Sequence, residues 1–189
     1  MMKHLLAGLA ILGALSGCGV AGQEVSTQQS EPAPVTATPA PTERPAPTDS
    51  QRPQRPEHLT MAGIAAPVVP LSMSGTTLTP PSDPTVLGWW GRPVGARHGV
   101  TLLVGHTVHT GGGALDDLED VPVGTIATVS GHRYEVRSDT VLSKAVLAKR
   151  AAHLFSQDGR PRLVIVTCED YDAATGHYRS NVVVTATPV

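Results

Sequence analysis

Cys168, His106 and Arg179 are the side chains of this 189-residue chain whose types and surroundings could combine into catalysis. Cys168 closes the apolar run VIVT and precedes a polar, glycine-containing stretch, EDYDAATG. A thiol at the end of an apolar strand can be held rigidly and still meet a substrate. Taken alone, a free cysteine is more often a small buried hydrophobe, so its neighbours must decide. Arg179 follows 11 residues later, where YRSN opens the final apolar run. If the two runs pair antiparallel across the intervening stretch, the guanidinium stands beside the thiol. It keeps its proton and offers several donors, so it can hold a carbonyl or a developing oxyanion; without a reactive thiol it is merely a solubilising charge. His106 follows the run VTLLVG and precedes Gly111-Gly112-Gly113. An imidazole there can protonate a departing amine and later take a proton from an incoming nucleophile. His109 raises a metal-binding alternative, but zinc sites need at least three protein ligands and no third follows at a familiar spacing. No metal and no cofactor is expected.

The elements that must position these residues are mostly strands. Short apolar runs recur between turn signals: Ala65 to Met73, Val100 to Gly105, Thr125 to Ser130, Tyr134 to Val136, Arg162 to Thr167 and Asn181 to Thr187. Ser130-Gly131-His132 suits a hairpin turn. Prolines at 67, 70, 80, 81 and 84 predict edge strands and loops in the first third of the domain. Val146, Leu147, Arg150, Ala151 and Leu154 fall at helical spacing and predict a helix over Ser143 to Phe155. A shorter helical turn is expected over Ala114 to Leu118. Many strands and few helices predict a mainly β fold, a closed or nearly closed barrel of about eight strands.

Composition narrows the function. Aromatic residues make up 3% of the chain, so the core must be built from Val, Leu, Ile and Ala. The net charge of -2 gives no basic surface for a nucleic-acid partner. At the N-terminus, Lys3 precedes LLAGLAILGAL, 11 apolar residues from Leu5 to Leu15. That is short of the roughly 20 needed to span a bilayer and matches the core of an export signal. The following Leu15-Ser16-Gly17-Cys18 resembles a bacterial lipobox, which implies a signal peptide over residues 1–18 and diacylglycerol on Cys18. An ordinary cleaved signal or an uncleaved anchor also leaves the rest of the chain outside the cytoplasm. Residues 19–57 are rich in Pro, Thr, Ala and Gln without apolar periodicity. They cannot bury enough surface to offset chain entropy and read as a disordered spacer. Residues 58–189 form the expected folded domain.

At this point a resemblance becomes specific. GHTVHTGG with ALDDL, VIVTC and YRSN are similar to the histidine, cysteine and arginine blocks of the bacterial sortases, cysteine transpeptidases with a β-barrel fold. The fit is to the short actinobacterial type, class F (or E), and PPSDPTVLGWW and NVVVTATP extend it over Leu59 to Val189. Ile165 stands where the cysteine block usually has Leu. Thr107-Val108 follow the histidine where Val-Asp is common, and the first strand lacks the usual Ile-Pro pattern.

The resemblance implies a reaction grouped with the thiol proteases. Cys168 attacks the Thr carbonyl of an LPxTG-like sorting signal on an exported protein, His106 protonates the leaving Gly amine, and Arg179 steadies the intermediate. An amine on a peptidoglycan precursor or a pilin then resolves the thioester. Thr167 and Tyr178, beside the cysteine and the arginine in their blocks, are the further positions expected to touch substrate. The implied location is extracytoplasmic, lipid-anchored to the membrane and facing the cell wall. Three alternatives stay open from the residues: a thiol hydrolase using water as acceptor, a non-catalytic lipoprotein binding wall peptide or polymer, and a redox-sensing lipoprotein.

Overall fold

The computed structural model describes residues 52–74 and 77–189. The export signal, Cys18 and most of the spacer therefore lie outside the described residues. Eight strands form a closed barrel: β1 (His58–Met61), β2 (Ile64–Pro70), β3 (Leu87–Gly91), β4 (Val100–Val104), β5 (Ile126–Val129), β6 (His132–Ser143), β7 (Arg162–Asp172) and β8 (His177–Pro188). Around the barrel they run β1-β2-β3-β4-β7-β8-β6-β5, with β5 returning to β1. The β2–β3 and β4–β7 pairs are parallel, and the others antiparallel. One helix, α1 (Lys144–Leu154), links β6 to β7, and a 3-10 turn spans Leu118–Asp120. The mainly β barrel expected from the strand pattern is the fold observed. Among the described residues no helix is long and apolar enough to cross a membrane.

Alternation along the strands divides the apolar residues between two layers. Leu59, Met61, Leu87, Leu103, Leu163, Ile165, Val182 and Val184 fill the barrel interior. Leu102, Val164, Val166 and Val183 face outward and are covered by Leu147, Leu154, Phe155, Trp90 and Leu78. The central strands β4, β7 and β8 are thus buried on both faces, which is why they read as unbroken apolar runs. Emptying such a position, as in Leu103→Ala, costs about 2–5 kcal/mol.

Local chemistry sets the boundaries. Ser143 caps α1, its Oγ accepting from the Val146 amide at 3.3 Å. Ser130 and Gly131 take φ of 46° and 83°, the left-handed pair that a two-residue hairpin between Val129 and His132 needs. Both features match the sequence reading. Three expectations change. The helical turn expected at Ala114 to Leu118 settles one turn later, at Leu118–Asp120. Strands β1 and β3, not anticipated, come from four- and five-residue runs too short to signal themselves. Pro67 and Pro70 do not mark an edge, because the barrel is closed. Instead β2 pairs with β1 up to Pro67 and with β3 from Val68, so each half has one free side that tolerates proline.

Candidate active site

Cys168 lies within a strand, not at its end. β7 continues to Asp172 and β8 begins at His177, so the first half of EDYDAATG belongs to β7 and the turn shrinks to residues 173–176. The hairpin register sets Cys168 directly opposite Asn181. On its other side β7 runs parallel to β4, with Val104 beside Val166 and the Gly105 amide donating to the Val166 carbonyl at 3.2 Å. Continuing that register by two residues brings His106 level with Cys168. The strand order β4-β7-β8 therefore lines up His106, Cys168 and Asn181 in one row across the sheet. Alternation from Val166 turns Cys168 to the outer face of the barrel, where it is half-buried. It stands there in a groove of about 210 Å3 walled by Leu78, Pro80, Val104, Val166 and Asn181. Leu78 also borders an apolar hollow of about 440 Å3 formed with Met73, Trp90, Ala151, Ala152 and Phe155. A hollow of about 480 Å3 lined by Pro70, Trp89, Arg92 and Gln157 holds no nucleophile and belongs to a different stretch of the surface.

The loop after β4 carries His106 and is tied down at several points. Asp116 accepts from the Val108 amide at 2.7 Å and the Gly113 amide at 2.9 Å. The Leu115 amide bonds the His106 carbonyl at 3.1 Å. Gly113 has to be glycine, since a Cβ there would lie 2.6 Å from that same carbonyl oxygen. The imidazole is held too: Nε2 lies 2.7 Å from the Pro81 carbonyl oxygen. A carbonyl only accepts, so Nε2 bears the proton and Nδ1 is the nitrogen left for chemistry.

The side chains of the two expected substrate contacts, Thr167 and Tyr178, are tied into the framework. Thr167 is 2% exposed and points into the barrel. Its hydroxyl donates to the Gly105 carbonyl at 3.1 Å and lies 2.8 Å from the Thr107 hydroxyl, so it joins β7 to the histidine loop. The Tyr178 hydroxyl donates to the Thr107 carbonyl and accepts from the His109 amide, both at 2.8 Å, which leaves it little capacity for a ligand. Partial burial raises the Tyr178 phenol above its ordinary value. His109 stacks on Tyr171, with ring centroids 3.8 Å apart and the ring planes nearly parallel. Among the described residues no three or more His, Cys, Asp or Glu side chains are grouped so that they could hold a metal ion.

Arg179 is two residues from Asn181 along β8, and its Nη2 donates to Asp170 at 2.7 Å. The hydrogen bond and charge of Asp170 raise the guanidinium further above its ordinary value. The arginine is therefore near the row but bound to a carboxylate and well exposed. Sequence reasoning missed Asn181, Asp116, Pro81 and Asp170. Asn181 was within reach: a hairpin that sets Tyr171 opposite Tyr178 must set Cys168 opposite Asn181.

A family model described as the Sortase domain matches residues 59–189. Among solved structures, the chain is similar to sortase C-1 from Actinomyces oris, with 21% identity over 70% of this chain and 72% of that one, at a TM-score of 0.53. It is similar to sortase C2 of pilus island 1 from Group B Streptococcus, with 19% identity over 70% and 72% of the two chains and a TM-score of 0.54. A lid mutant of sortase A from Corynebacterium diphtheriae is 20% identical over 74% and 73%, at a TM-score of 0.50. Identities this low speak for the fold alone. None of the curated proteins compared matches the chain.

Proposed function

The chain belongs to the sortase family, and from that premise we propose that it is a cysteine transpeptidase in which Cys168 is the nucleophile, His106 the general acid and base, and Arg179 the oxyanion and substrate clamp. The observation that carries this reading is the half-buried Cys168 in a groove on the outer face of the barrel, with Asn181 opposite it in the ladder and His106 two residues beyond the Val104–Val166 pair of β4 and β7. The Cys168 thiol gives its proton to Nδ1 of His106, and the resulting thiolate attacks the carbonyl carbon of a Thr–Gly bond in an LPxTG-like sorting signal. The S–C bond forms, the C–N bond breaks, and His106 passes the Nδ1 proton to the leaving amine while Nε2 stays on Pro81. An incoming cell-wall or pilin amine then attacks the thioester, gives a proton to His106 and restores the thiolate. To reach the carbonyl oxygen, Arg179 must turn from Asp170. The apolar hollow beyond Leu78 suits the apolar residues of such a signal.

The sequence blocks support the short actinobacterial class F (or E) type within the family. Residues 1–18 support export with lipidation at Cys18, and residues 19–57 a spacer that lets an extracytoplasmic catalytic head reach into the wall. Mass spectrometry of the mature N-terminus checks the anchor: a diacylglyceryl adduct on Cys18 is expected, and an unmodified N-terminal peptide overturns it.

The test of the activity is intact-mass analysis of the protein with a sorting peptide. A thioester adduct is expected on the wild type and none on Cys168→Ala. Adding an amine should convert the adduct to ligated peptide, whereas release to water alone would make the enzyme a hydrolase. No adduct under any condition, with turnover persisting in Cys168→Ala, overturns the reading.

A further inference from the structure

We propose that Asn181 determines specificity by reading a hydroxyl on the residue whose carbonyl Cys168 attacks, an inference that rests on the acyl-transfer reading above. Asn181 is directly opposite Cys168 in the β7–β8 ladder, and such partners hold their Cβ atoms about 4.5–5.5 Å apart. Once Sγ is bonded to the acyl carbon, the side chain on the next atom of the substrate lies within a few ångströms of the Asn181 amide. Nothing more distant on the barrel wall is so well placed to sense it.

The amide's orientation is determined by chemistry. Asn181 Nδ2 donates to the Thr167 carbonyl oxygen at 3.0 Å. That oxygen accepts only, so the nitrogen must face it and Oδ1 must be the atom left over. Oδ1 accepts no hydrogen bond from the described residues, and it is not sealed from solvent. The surrounding wall of Leu78, Pro80, Val104 and Val166 offers no side-chain polar atom, and the hydroxyl of Thr167 is turned into the barrel. An aimed acceptor beside the thiol, in a groove otherwise walled by apolar side chains, is a discriminating device. A substrate hydroxyl that donates to Oδ1 replaces the water it displaces. An isosteric methyl displaces the same water and leaves Oδ1 desolvated and unpaired.

The experiment compares Leu-Pro-Ala-Thr-Gly and Leu-Pro-Ala-Val-Gly peptides, which differ by hydroxyl against methyl at the attacked residue. Acylation of Cys168 is measured as kcat/KM for thioester formation in the wild type, Asn181→Leu and Asn181→Ala, with thermal unfolding as the check on folding. The wild type should favour Thr over Val by about tenfold or more. Both variants should reduce that ratio to about twofold or less, chiefly because the Val peptide reacts as well as before or better. A purely structural role for Asn181 would slow both peptides alike and leave the ratio unchanged, which overturns the inference. So does a wild type indifferent to the exchange, a result that needs no variant to fold. If neither peptide acylates the wild type, the acyl-transfer reading fails first and takes this inference with it.

Discussion

His106 Nε2 donates to the carbonyl oxygen of Pro81 across 2.7 Å, so a residue of the preceding loop selects the imidazole tautomer. Glutamine places its amide nitrogen near the position of Nε2 and can keep that bond, whereas alanine cannot. His106→Gln should therefore unfold close to the wild-type temperature while losing about 10²–10⁴-fold in turnover, since it has nothing to transfer a proton with. His106→Ala should lose the turnover and about 1 kcal/mol of stability as well. Calorimetry beside a peptide assay separates the two, and equal destabilisation in both variants would detach Pro81 from the histidine.

Tyr178 links the histidine loop to β8 through one hydroxyl used in two directions. Tyr178→Phe keeps the ring against Tyr171 but removes both bonds, at a cost of about 1–2 kcal/mol. With Thr107 and His109 released, the backbone around His106 loosens, and kcat should fall by about tenfold with KM little changed. A rise in KM at constant kcat would return Tyr178 to the role of substrate contact.

Asp170 competes with substrate for Arg179. The pair is solvent-exposed, with side chains 61% and 44% accessible, so its removal should leave the unfolding temperature unchanged. Asp170→Asn frees the guanidinium and should raise kcat/KM about two- to fivefold at low ionic strength. Added salt screens the pair in the wild type, so the two proteins should converge near 0.5 M, an estimate from the Debye length. A variant slower than the wild type would instead make Asp170 a guide that holds Arg179 in its working position.

Glu119 has a carboxyl pushed above its ordinary range, first by the charge of Glu169, the residue after Cys168, and then by burial, Asp120 and Asp139. A carboxylate raised in this way is less favourable charged in the folded chain than in the unfolded one. Its cost is full above the folded value and fades as pH falls past the unfolded value. Glu119→Gln should accordingly raise the unfolding temperature at neutral pH, on the order of 1 °C for so exposed a group. The gain should vanish near pH 4, within the ordinary carboxylate range. A gain that persists in acid would rule out charge repulsion as its cause.

Much of the architecture was legible because it is local. The two-residue turn at Ser130-Gly131, the Ser143 cap and the doubly buried runs in β4, β7 and β8 each follow from neighbouring residues and a single periodicity. The same holds for the sequence blocks around His106, Cys168 and Arg179, short local patterns whose likeness to the sortases agrees with the family match over residues 59–189. Where the reading slipped, the chain was short or closed on itself: β1 and β3 are too brief to show a period, and Pro67 sits in a strand that changes partners.

By itself, then, the sequence determined which side chains could do chemistry and that strands would carry them. Only the tertiary structure decided how they meet. The parallel β4–β7 register brings together residues more than 60 positions apart, and no local pattern encodes which residue of one strand faces which of another. That pairing turned Cys168 outward beside His106 and Asn181 and turned Thr167 inward. Hydrogen-bond partners are likewise a property of the folded neighbourhood: Tyr178 is occupied by the histidine loop and Arg179 by Asp170 because long-range packing leaves those groups within reach.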